Sequence, residues 1–298
     1  MLATSQYWLP SYQGIAFTDT DVYWLSSSDV TDPSAQKYRV QKTSTATPGT
    51  PVSLVSNLAI VDQIAAGLQR VYFVGTQQGR VLYGVNFDGS NLSTELQNVY
   101  GVQFGNNRIY YASNYNGAAY LKWKDVLTSA EGQVYAVSGA AWNGQAVGSS
   151  FGVQGSWTKF VEQTPDAYRI LDQASNPLQQ GSGWATRLRA NDNDLLWIEV
   201  PTTQGQDSVA KYASGTGQPV AMTQAPTVID IAYACPTAYV SFALGQQASY
   251  QNGIDVVDAT NNAKTTLLLN AQARSLEING GYLYFFLGDR LVRIKLPL

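Results

Sequence analysis

Short apolar segments separated by polar turns recur along the chain, and most of them have an aromatic residue at their centre. Their aromatic and β-branched content predicts β-strands at Val22–Trp24, Val71–Phe73, Ile109–Tyr111, Leu195–Trp197, Ala238–Val240 and Leu283–Phe285. Eight positions before each centre lies an aliphatic residue, in order Ile15, Ile64, Val102, Leu188, Ile231 and Leu276. This constant spacing predicts a tandem array of units, each with an apolar strand, a short turn and an aromatic strand.

The interval between the centres Tyr110 and Leu196 is about twice the other intervals, so one further unit is expected inside it. Residues 156–161 fit that gap, with Lys159 at the centre and Phe151 eight positions before it. Successive centres are then 37 to 49 residues apart, near the ~40–45 residues of a four-stranded propeller blade. The sequence therefore predicts seven blades.

A third strand follows each pair, a fourth ends most units, and Asp88–Asn91 has the composition of a tight turn between two such strands. The seventh unit ends after three strands, whereas the strand-like segment Thr4–Leu9 precedes the first unit. We therefore predict an all-β, seven-bladed β-propeller in which residues 3–9 pair with the strand around 291–296 and complete the last blade. Because each blade buries its faces on its neighbours, we expect one domain over residues 1–298.

The net charge of −3, the pI near 5.0 and the absence of a basic cluster argue against nucleic acid and anionic membrane surfaces as partners. No apolar run approaches the ~18–20 residues of a membrane span, so membrane insertion is not expected. Low charge, many polar uncharged residues and a single cysteine favour a secreted or periplasmic protein whose leader is not present in this chain, with a cytoplasmic protein as the alternative. We expect Cys235 to be a packed thiol.

The chain contains no histidine, and this excludes His-dependent nucleophile systems and His-ligated zinc or haem. We expect no catalytic residues, no cofactor and no metal. The turns 19–21 and 191–194 are rich in Asp and Asn, yet these residues are typical of hairpin turns, so calcium is the weaker interpretation. The enzymatic alternative that remains is a glycoside-processing enzyme that uses carboxylates at the central tunnel.

The first strand of each predicted blade lines the tunnel, and its charged members are Asp62, Arg187, Arg189, Asp230, Arg274 and Glu277. Arg189 and Glu277 both lie seven positions before their blade centres, and Arg187 and Asp230 both lie nine before theirs. Each pair is therefore expected in one layer of the tunnel. A hydrated ion-pair network explains this pattern better than a catalytic centre, because buried charges need partners in any case.

Aromatic residues in the predicted loops of one propeller face are the candidate ligand-binding residues. They are Tyr115, Trp142, Trp184 and Tyr250, each beside Asn, Gln, Gly or Ser. Large amphipathic rings beside hydrogen-bonding groups suit both sugar stacking and protein hot spots. Packing at the seams between blades is the alternative for Trp142 and Trp184.

The strands Val22–Leu25, Val71–Phe73 and Ile109–Tyr111, with the Asp-Gly turn at 88–89, resemble repeats of YWTD-type and related bacterial propellers. The resemblance is close only over residues 71–91; no unit contains Tyr-Trp-Thr-Asp itself, and seven units are counted where YWTD domains have six. It implies a non-catalytic interaction platform and transfers no site residues. We therefore expect a recognition or scaffold module that binds a protein, peptide or glycan through one loop face.

Overall fold

The computed structural model describes residues 3–4, 14–27, 38–47, 49–58, 61–75, 79–115, 118–138, 151–154, 157–163, 166–244, 252–288 and 290–297. Regular secondary structure in these residues consists of 28 β-strands. Over the same ranges, no helix has the length and apolar character that a membrane span requires.

The strands form seven four-stranded antiparallel sheets. The first three sheets contain β2 (Ile15–Phe17), β3 (Asp21–Ser27), β4 (Tyr38–Ser44) and β5 (Val52–Leu58); β6 (Val61–Gly67), β7 (Arg70–Gly75), β8 (Val81–Asn86) and β9 (Ser93–Gln97); and β10 (Val99–Gly105), β11 (Arg108–Tyr115), β12 (Ala118–Asp125) and β13 (Glu131–Ser138). The next three contain β14 (Phe151–Gln154), β15 (Trp157–Gln163), β16 (Ala167–Asp172) and β17 (Pro177–Ser182); β18 (Trp184–Ala190), β19 (Asp194–Val200), β20 (Ser208–Ser214) and β21 (Val220–Ala225); and β22 (Thr227–Ala234), β23 (Thr237–Ala243), β24 (Gly253–Asp258) and β25 (Lys264–Leu269). The seventh contains β26 (Ala273–Asn279), β27 (Tyr282–Leu287), β28 (Arg290–Lys295) and β1 (Ala3–Thr4).

The strand order within the sheets confirms the prediction of a seven-bladed β-propeller. Six sheets follow chain order, and the seventh has the order β1-β28-β27-β26. Strand β1 pairs antiparallel with β28 through Ala3 opposite Leu291 and Thr4 opposite Arg290. The N-terminal segment therefore completes the last blade, as predicted; residues 5–9 of that prediction lie outside the described residues.

Deletion of residues 1–9 is expected to lower the thermal midpoint by more than the loss of a frayed terminus would. The reason is that β1 pairs with the backbone N–H and C=O groups on the outer edge of β28. This pairing joins the two ends of the chain through backbone hydrogen bonds. Differential scanning calorimetry of the full and shortened chains measures the effect. An unchanged midpoint would contradict a closing role for β1.

The chain divides into two compact units. One comprises Met1–Gly139 with Gly288–Arg293, and the other comprises Ala140–Leu287 with Ile294–Leu298. In the first unit β2, β6 and β10 lie side by side, and in the second β14, β18, β22 and β26 do so. The first strands of successive blades thus adjoin within each unit. A single domain over residues 1–298 stays a prediction.

The residues that lie eight positions before the blade centres belong to the buried core. All six aliphatic residues that it predicts are buried, and so is Phe151 in the degenerate unit. In five blades this residue pairs with the residue after the blade centre, as Ile64 pairs with Phe73 and Phe151 with Phe160. The register repeats because each blade presents the same two faces to its neighbours, so the same positions lose water in every blade.

Polar side chains connect one blade to the first strand of the next. Gln63 on β6 accepts the N–H of Val102 at 2.9 Å and donates to the carbonyl of Tyr100 at 3.3 Å, both on β10. Ser208 on β20 accepts the N–H of Val228 on β22 at 2.6 Å. Tyr100 is skipped in the pairing of β10 with β11, and Gln63 supplies a donor for its carbonyl group.

Candidate functional site

The first strands β18, β22 and β26 carry five of the six charged residues that the sequence analysis assigned to a tunnel. Arg189 Nη2 lies 2.5 Å from Glu277 Oε1, and Arg187 Nε lies 3.8 Å from Asp230 Oδ1. Both ion pairs match the layers that the common register predicts. We name Arg187, Arg189, Asp230 and Glu277 the charged cluster.

Arg189 contacts two neighbouring blades at once. Its Nε donates to the carbonyl of Ile231 on β22 at 3.1 Å, and its Nη2 donates to the carbonyl of Leu276 on β26 at 3.2 Å as well as to Glu277. The planar guanidinium suits this use because its donors point in several fixed directions. Arg189 therefore holds three first strands together.

Asp230 is almost fully buried, at 1% exposed. Its Oδ1 accepts the N–H of Ile231 at 2.8 Å, and its Oδ2 accepts the N–H of Leu276 on the next blade at 3.1 Å. Together with Arg187 these donors occupy both carboxylate oxygens. The arrangement compensates the cost of burying the charge, which an unpaired carboxylate could not do.

Blades 5 and 7 depart from the common backbone register at the charged cluster. The pairing of β18 with β19 skips residues 187 and 188, and the pairing of β26 with β27 skips 275 and 276. Strands β6, β10 and β22 also skip residues, in order 62, 100 and 229. Relative to the blade centre, these residues lie one or two positions earlier than the residues skipped in β18 and β26. Arg187 and Ser275 have φ of 56° and 55°, in the left-handed region that non-glycine residues rarely adopt.

The electrostatic environment of the charged cluster is uneven. Burial raises the pKa of Glu277, although the adjacent Arg189 guanidinium opposes that shift. Burial lowers the pKa of Arg274, whose Nη2 donates to the neutral Oε1 of Gln272 at 3.0 Å. Asp62 lies in β6, and its side chain is outside the described part of the chain.

The charged cluster does not have the arrangement that a glycosidase needs. Such an enzyme uses two carboxyl groups that both face the sugar. Glu277 has a quarter of its side chain exposed, but its Oε1 is paired with the Arg189 guanidinium at 2.5 Å. Asp230, in contrast, is buried and its oxygens bind backbone N–H groups, so it cannot act as the second carboxylate without breaking the link between blades.

Of the four candidate aromatic residues, the structure describes the side chain of Trp184 alone. Trp184 is the first residue of β18 and is 52% exposed. The backbone of Tyr115 ends β11 and pairs with Ala118, while its side chain is not described. Trp142 and Tyr250 lie outside the described residues.

The backbone on both sides of Trp184 is held by Gln163. Its Nε2 donates to the carbonyl of Gly183 at 2.9 Å, and its Oε1 accepts the N–H of Ala185 at 3.2 Å. Gly183 has φ of 84°, and a Cβ there would lie 2.5 Å from the carbonyl oxygen of Val200. Only glycine fits this turn, so the indole of Trp184 projects from a fixed backbone.

A polar network that the sequence analysis did not predict lies in blade 5, near the end of β19 that pairs with Trp184. Tyr168 donates to Glu199 at 2.5 Å and accepts the indole N–H of Trp197 at 3.0 Å, and Lys211 pairs with Glu199 at 2.7 Å. Burial is the main cause that raises the pKa of Tyr168, and the Glu199 carboxylate raises it further. The network joins β16, β19 and β20 across two blades, and no sequence spacing signals such a contact between units.

Cys235 is exposed, so the prediction of a packed thiol is wrong. It follows β22 in the turn before β23, and a turn residue is not enclosed by neighbouring strands. The neighbouring Tyr233 donates to Asp194 Oδ2 at 3.0 Å, and Tyr212 donates to Asp194 Oδ1 at 2.8 Å. Burial is the main cause that raises the pKa of Tyr233, and a hydrogen bond with Cys235 raises it further.

Hydrogen-bond donors surround the carboxylate of Asp194 in the Asp-rich turn 191–194. Asp194 accepts both tyrosine hydroxyls and the side-chain amide of Asn191 at 2.9 Å, which occupies both of its oxygens. In the part of the chain that the structure describes, no group of three His, Cys, Asp or Glu residues is placed to hold a metal ion. The described geometry of residues 191–194 is that of a turn.

Four turns between third and fourth strands contain the same kind of hydrogen bond. Asp88, Asp125, Asp172 and Asp258 each accept, through Oδ1, the backbone N–H of the residue two positions later, at 2.8, 3.0, 2.9 and 2.8 Å. The largest effects on the carboxyl groups of Asp88, Asp125 and Asp258 come, respectively, from the Ser90 hydroxyl, the Thr128 N–H and the Thr260 hydroxyl, and all of them lower the pKa.

We expect stability to decline as the pH falls below about 4, the ordinary pKa of Asp. A carboxyl group whose pKa is lower in the folded state contributes stability above its unfolded pKa, and loses this contribution as it is protonated. Thermal midpoints measured from pH 6 to pH 2 test this expectation. The Asp258→Asn variant cannot be protonated at this turn and should show a flatter acid dependence; an unchanged dependence would contradict the role of the turn.

No protein-family model matches the sequence, and no curated protein matches it. Solved structures do match in fold. A chain of the mitotic checkpoint complex has a TM-score of 0.66 at 11% identity, over 98% of this chain and 90% of that chain. The β-propeller domain of the Trilobed protease from Pyrococcus furiosus has a TM-score of 0.63 at 6% identity, over 92% and 90%. The computationally designed Ika8 protein has a TM-score of 0.59 at 10% identity, over 99% of both chains. Identities this low establish the propeller fold and no function.

Proposed function

We propose that this protein is a non-catalytic recognition module that binds a protein or peptide partner through the loop face bearing Trp184, to which the sequence analysis also assigns Tyr115, Trp142 and Tyr250. The observation that carries the proposal is a half-exposed tryptophan on a fixed backbone. Large aromatic rings are the usual anchors of binding hot spots. A backbone that is already fixed before binding reduces the conformational entropy that binding costs.

The blade-specific geometry favours one asymmetric site. Blade 5 contains both Trp184 and the shifted irregularity at Arg187, and the β18 residues near them differ from their counterparts in the other blades. A lectin that repeats one sugar site would have equivalent residues at equivalent positions. Differences between the blades therefore favour a protein or peptide partner over a repeated glycan site.

The similar structures and the sequence resemblance are compatible with this use of the fold. One similar chain belongs to a protein assembly, the mitotic checkpoint complex, and another is the propeller domain of a protease. The resemblance of residues 71–91 to YWTD-type repeats implies a non-catalytic platform. For this chain, the partner class rests on Trp184 and its surroundings.

The Trp184→Ala variant is expected to bind selected partners about 30-fold more weakly, as removal of a hot-spot anchor costs about 2 kcal/mol or more. Partners are obtained by selecting a random displayed peptide library on the wild-type protein, and a glycan array is probed in parallel. Fluorescence anisotropy of labelled hits then compares the variants. Adding Trp142→Ala should abolish binding.

Leu127→Ala is the matched control, because it removes another large exposed apolar side chain, 68% exposed, from the turn between β12 and β13. It should leave the affinity unchanged. Circular dichroism and thermal melts check that the Trp184→Ala fold is intact. Unfolding of that variant would assign Trp184 a packing role, and glycan binding without peptide binding would replace the proposed partner class.

A further inference from the structure

We propose that the seam between blades 5 and 6 accepts one large apolar side chain of the bound peptide at the end where β18 and β22 begin, with Trp184 and Leu244 on its two sides. This inference rests on the proposed function and deepens it, because it names the chemistry of the partner. The partner is a peptide segment whose anchor is a large aliphatic or aromatic side chain.

The pairing of β18 with β19 shows to which side of blade 5 Trp184 projects. Trp184 lies opposite Val200, and opposite residues of an antiparallel pair project to the same side of the sheet. Val200 packs against a core cluster that contains residues of both blades, among them Val228 and Phe242 of blade 6. Trp184 therefore faces the seam between blades 5 and 6.

The blade 6 side of this seam is apolar up to the same end. Val228 and Phe242 lie opposite each other in β22 and β23, and at 6% and 8% exposed they are the least buried members of the shared cluster. Leu244 directly follows β23, two positions after Phe242, and is 43% exposed. Alternation along the chain gives Leu244 and Phe242 the same side, which is the side of blade 5.

A hydrogen bond fixes the level at which the two blades meet. Ser208 begins β20 and lies at the level of Val200 and Trp184 in the pairing of the three strands. Its hydroxyl accepts the N–H of Val228 on β22 at 2.6 Å. Trp184 and Val228 are therefore at the same end of the seam.

The residues at the position of Trp184 in other blades are polar. Counting twelve back from the blade centre gives Asn98 in blade 3, Thr227 in blade 6 and Gln272 in blade 7, and all three are exposed. The next residue of each of these blades and of blade 5 is buried, in order Val99, Val228, Ala273 and Ala185. The seam thus opens to water at this position, where the fold requires no large apolar side chain. A packing requirement of the repeat does not account for Trp184.

The size of the exposed surface indicates a single side chain as the occupant. Half of Trp184 and less than half of Leu244 amount to roughly 200 Å² of apolar surface, about what one large aromatic side chain buries. Specific complexes between folded proteins bury about 800 Å² on each partner. A second copy of this chain would need a much larger surface, whereas one inserted peptide side chain matches this one.

The first test selects a random displayed peptide library on the wild-type protein. We expect the recovered peptides to share one large apolar position, the anchor. Replacement of the anchor by alanine should weaken binding to the wild-type protein about 30-fold, as for a hot-spot side chain. Fluorescence anisotropy of labelled peptides measures the change, and this step does not depend on the folding of any variant.

A double-mutant cycle locates the anchor. Leu244→Ala should weaken the parent peptide about tenfold, for the loss of part of a buried leucine. It should leave the affinity of the alanine-substituted peptide unchanged, because both changes remove the same contact. Leu269→Ala is the matched control: it removes a leucine that is 54% exposed on the outer strand β25 of the same blade, and it should change neither affinity.

A second protein variant guards against loss of the fold. Trp184→Thr introduces the residue type that blade 6 has at the equivalent position, so it should lose peptide binding and keep the thermal midpoint. Peptides that depend on Trp184 but share no apolar position, or whose anchor substitution is additive with Leu244→Ala, would overturn this inference and leave the proposed function intact. Absence of any peptide that depends on Trp184 would overturn the proposed function and this inference with it.

Discussion

Replacement of Asp230 by Ala is expected to lower the free energy of unfolding by about 3–5 kcal/mol, the usual cost of removing one partner of a buried ion pair. Asp230 is buried, and its loss leaves the N–H groups of Ile231 and Leu276 without their acceptor and removes the ion pair with Arg187. Urea unfolding followed by circular dichroism measures the change.

Two further variants serve as controls for this prediction. Asp230→Asn retains an acceptor oxygen and the side-chain volume, so it should lose less stability than Asp230→Ala. Asp192→Ala changes an exposed aspartate of the same unit and should alter stability by less than about 0.5 kcal/mol. Equal and small losses at positions 230 and 192 would show that the link between blades 6 and 7 contributes little.

The second large effect is expected in the core. Leu188→Ala should cost about 2–5 kcal/mol, because it leaves a cavity where the removed atoms were packed. Leu188 is fully buried in a core cluster that also contains Val161, Ile170 and Trp197. The same substitution at exposed Leu127 should have little effect, and chemical denaturation of both variants provides the comparison.

The repeat extends this prediction to other blades. Ile231→Ala and Leu276→Ala should cost similar amounts, because both residues are buried at the position equivalent to Leu188. A loss confined to one of the three would contradict their equivalence, although the cavity term varies with the surroundings.

Much of the candidate site could be predicted because it follows the register of the repeat. Counting from the blade centres placed Arg189 with Glu277 and Arg187 with Asp230, and both pairs are present. The exposed state of Cys235 could not be predicted in this way, since a turn residue has no constant environment from blade to blade. The contacts of Gln163 and Glu199 were missed because polar side chains in a blade have several acceptors within reach.

The sequence by itself determined the number of blades, the buried positions of each and the closing of the last blade by the N-terminal segment. These features depend on alternation and spacing, which are local properties repeated seven times. Tertiary structure alone decided which backbone positions break the register, as at Arg187 and Ser275, and which groups occupy the oxygens of Asp230. Those outcomes depend on how three adjoining strands share their hydrogen bonds, and a pattern along one strand does not contain that information.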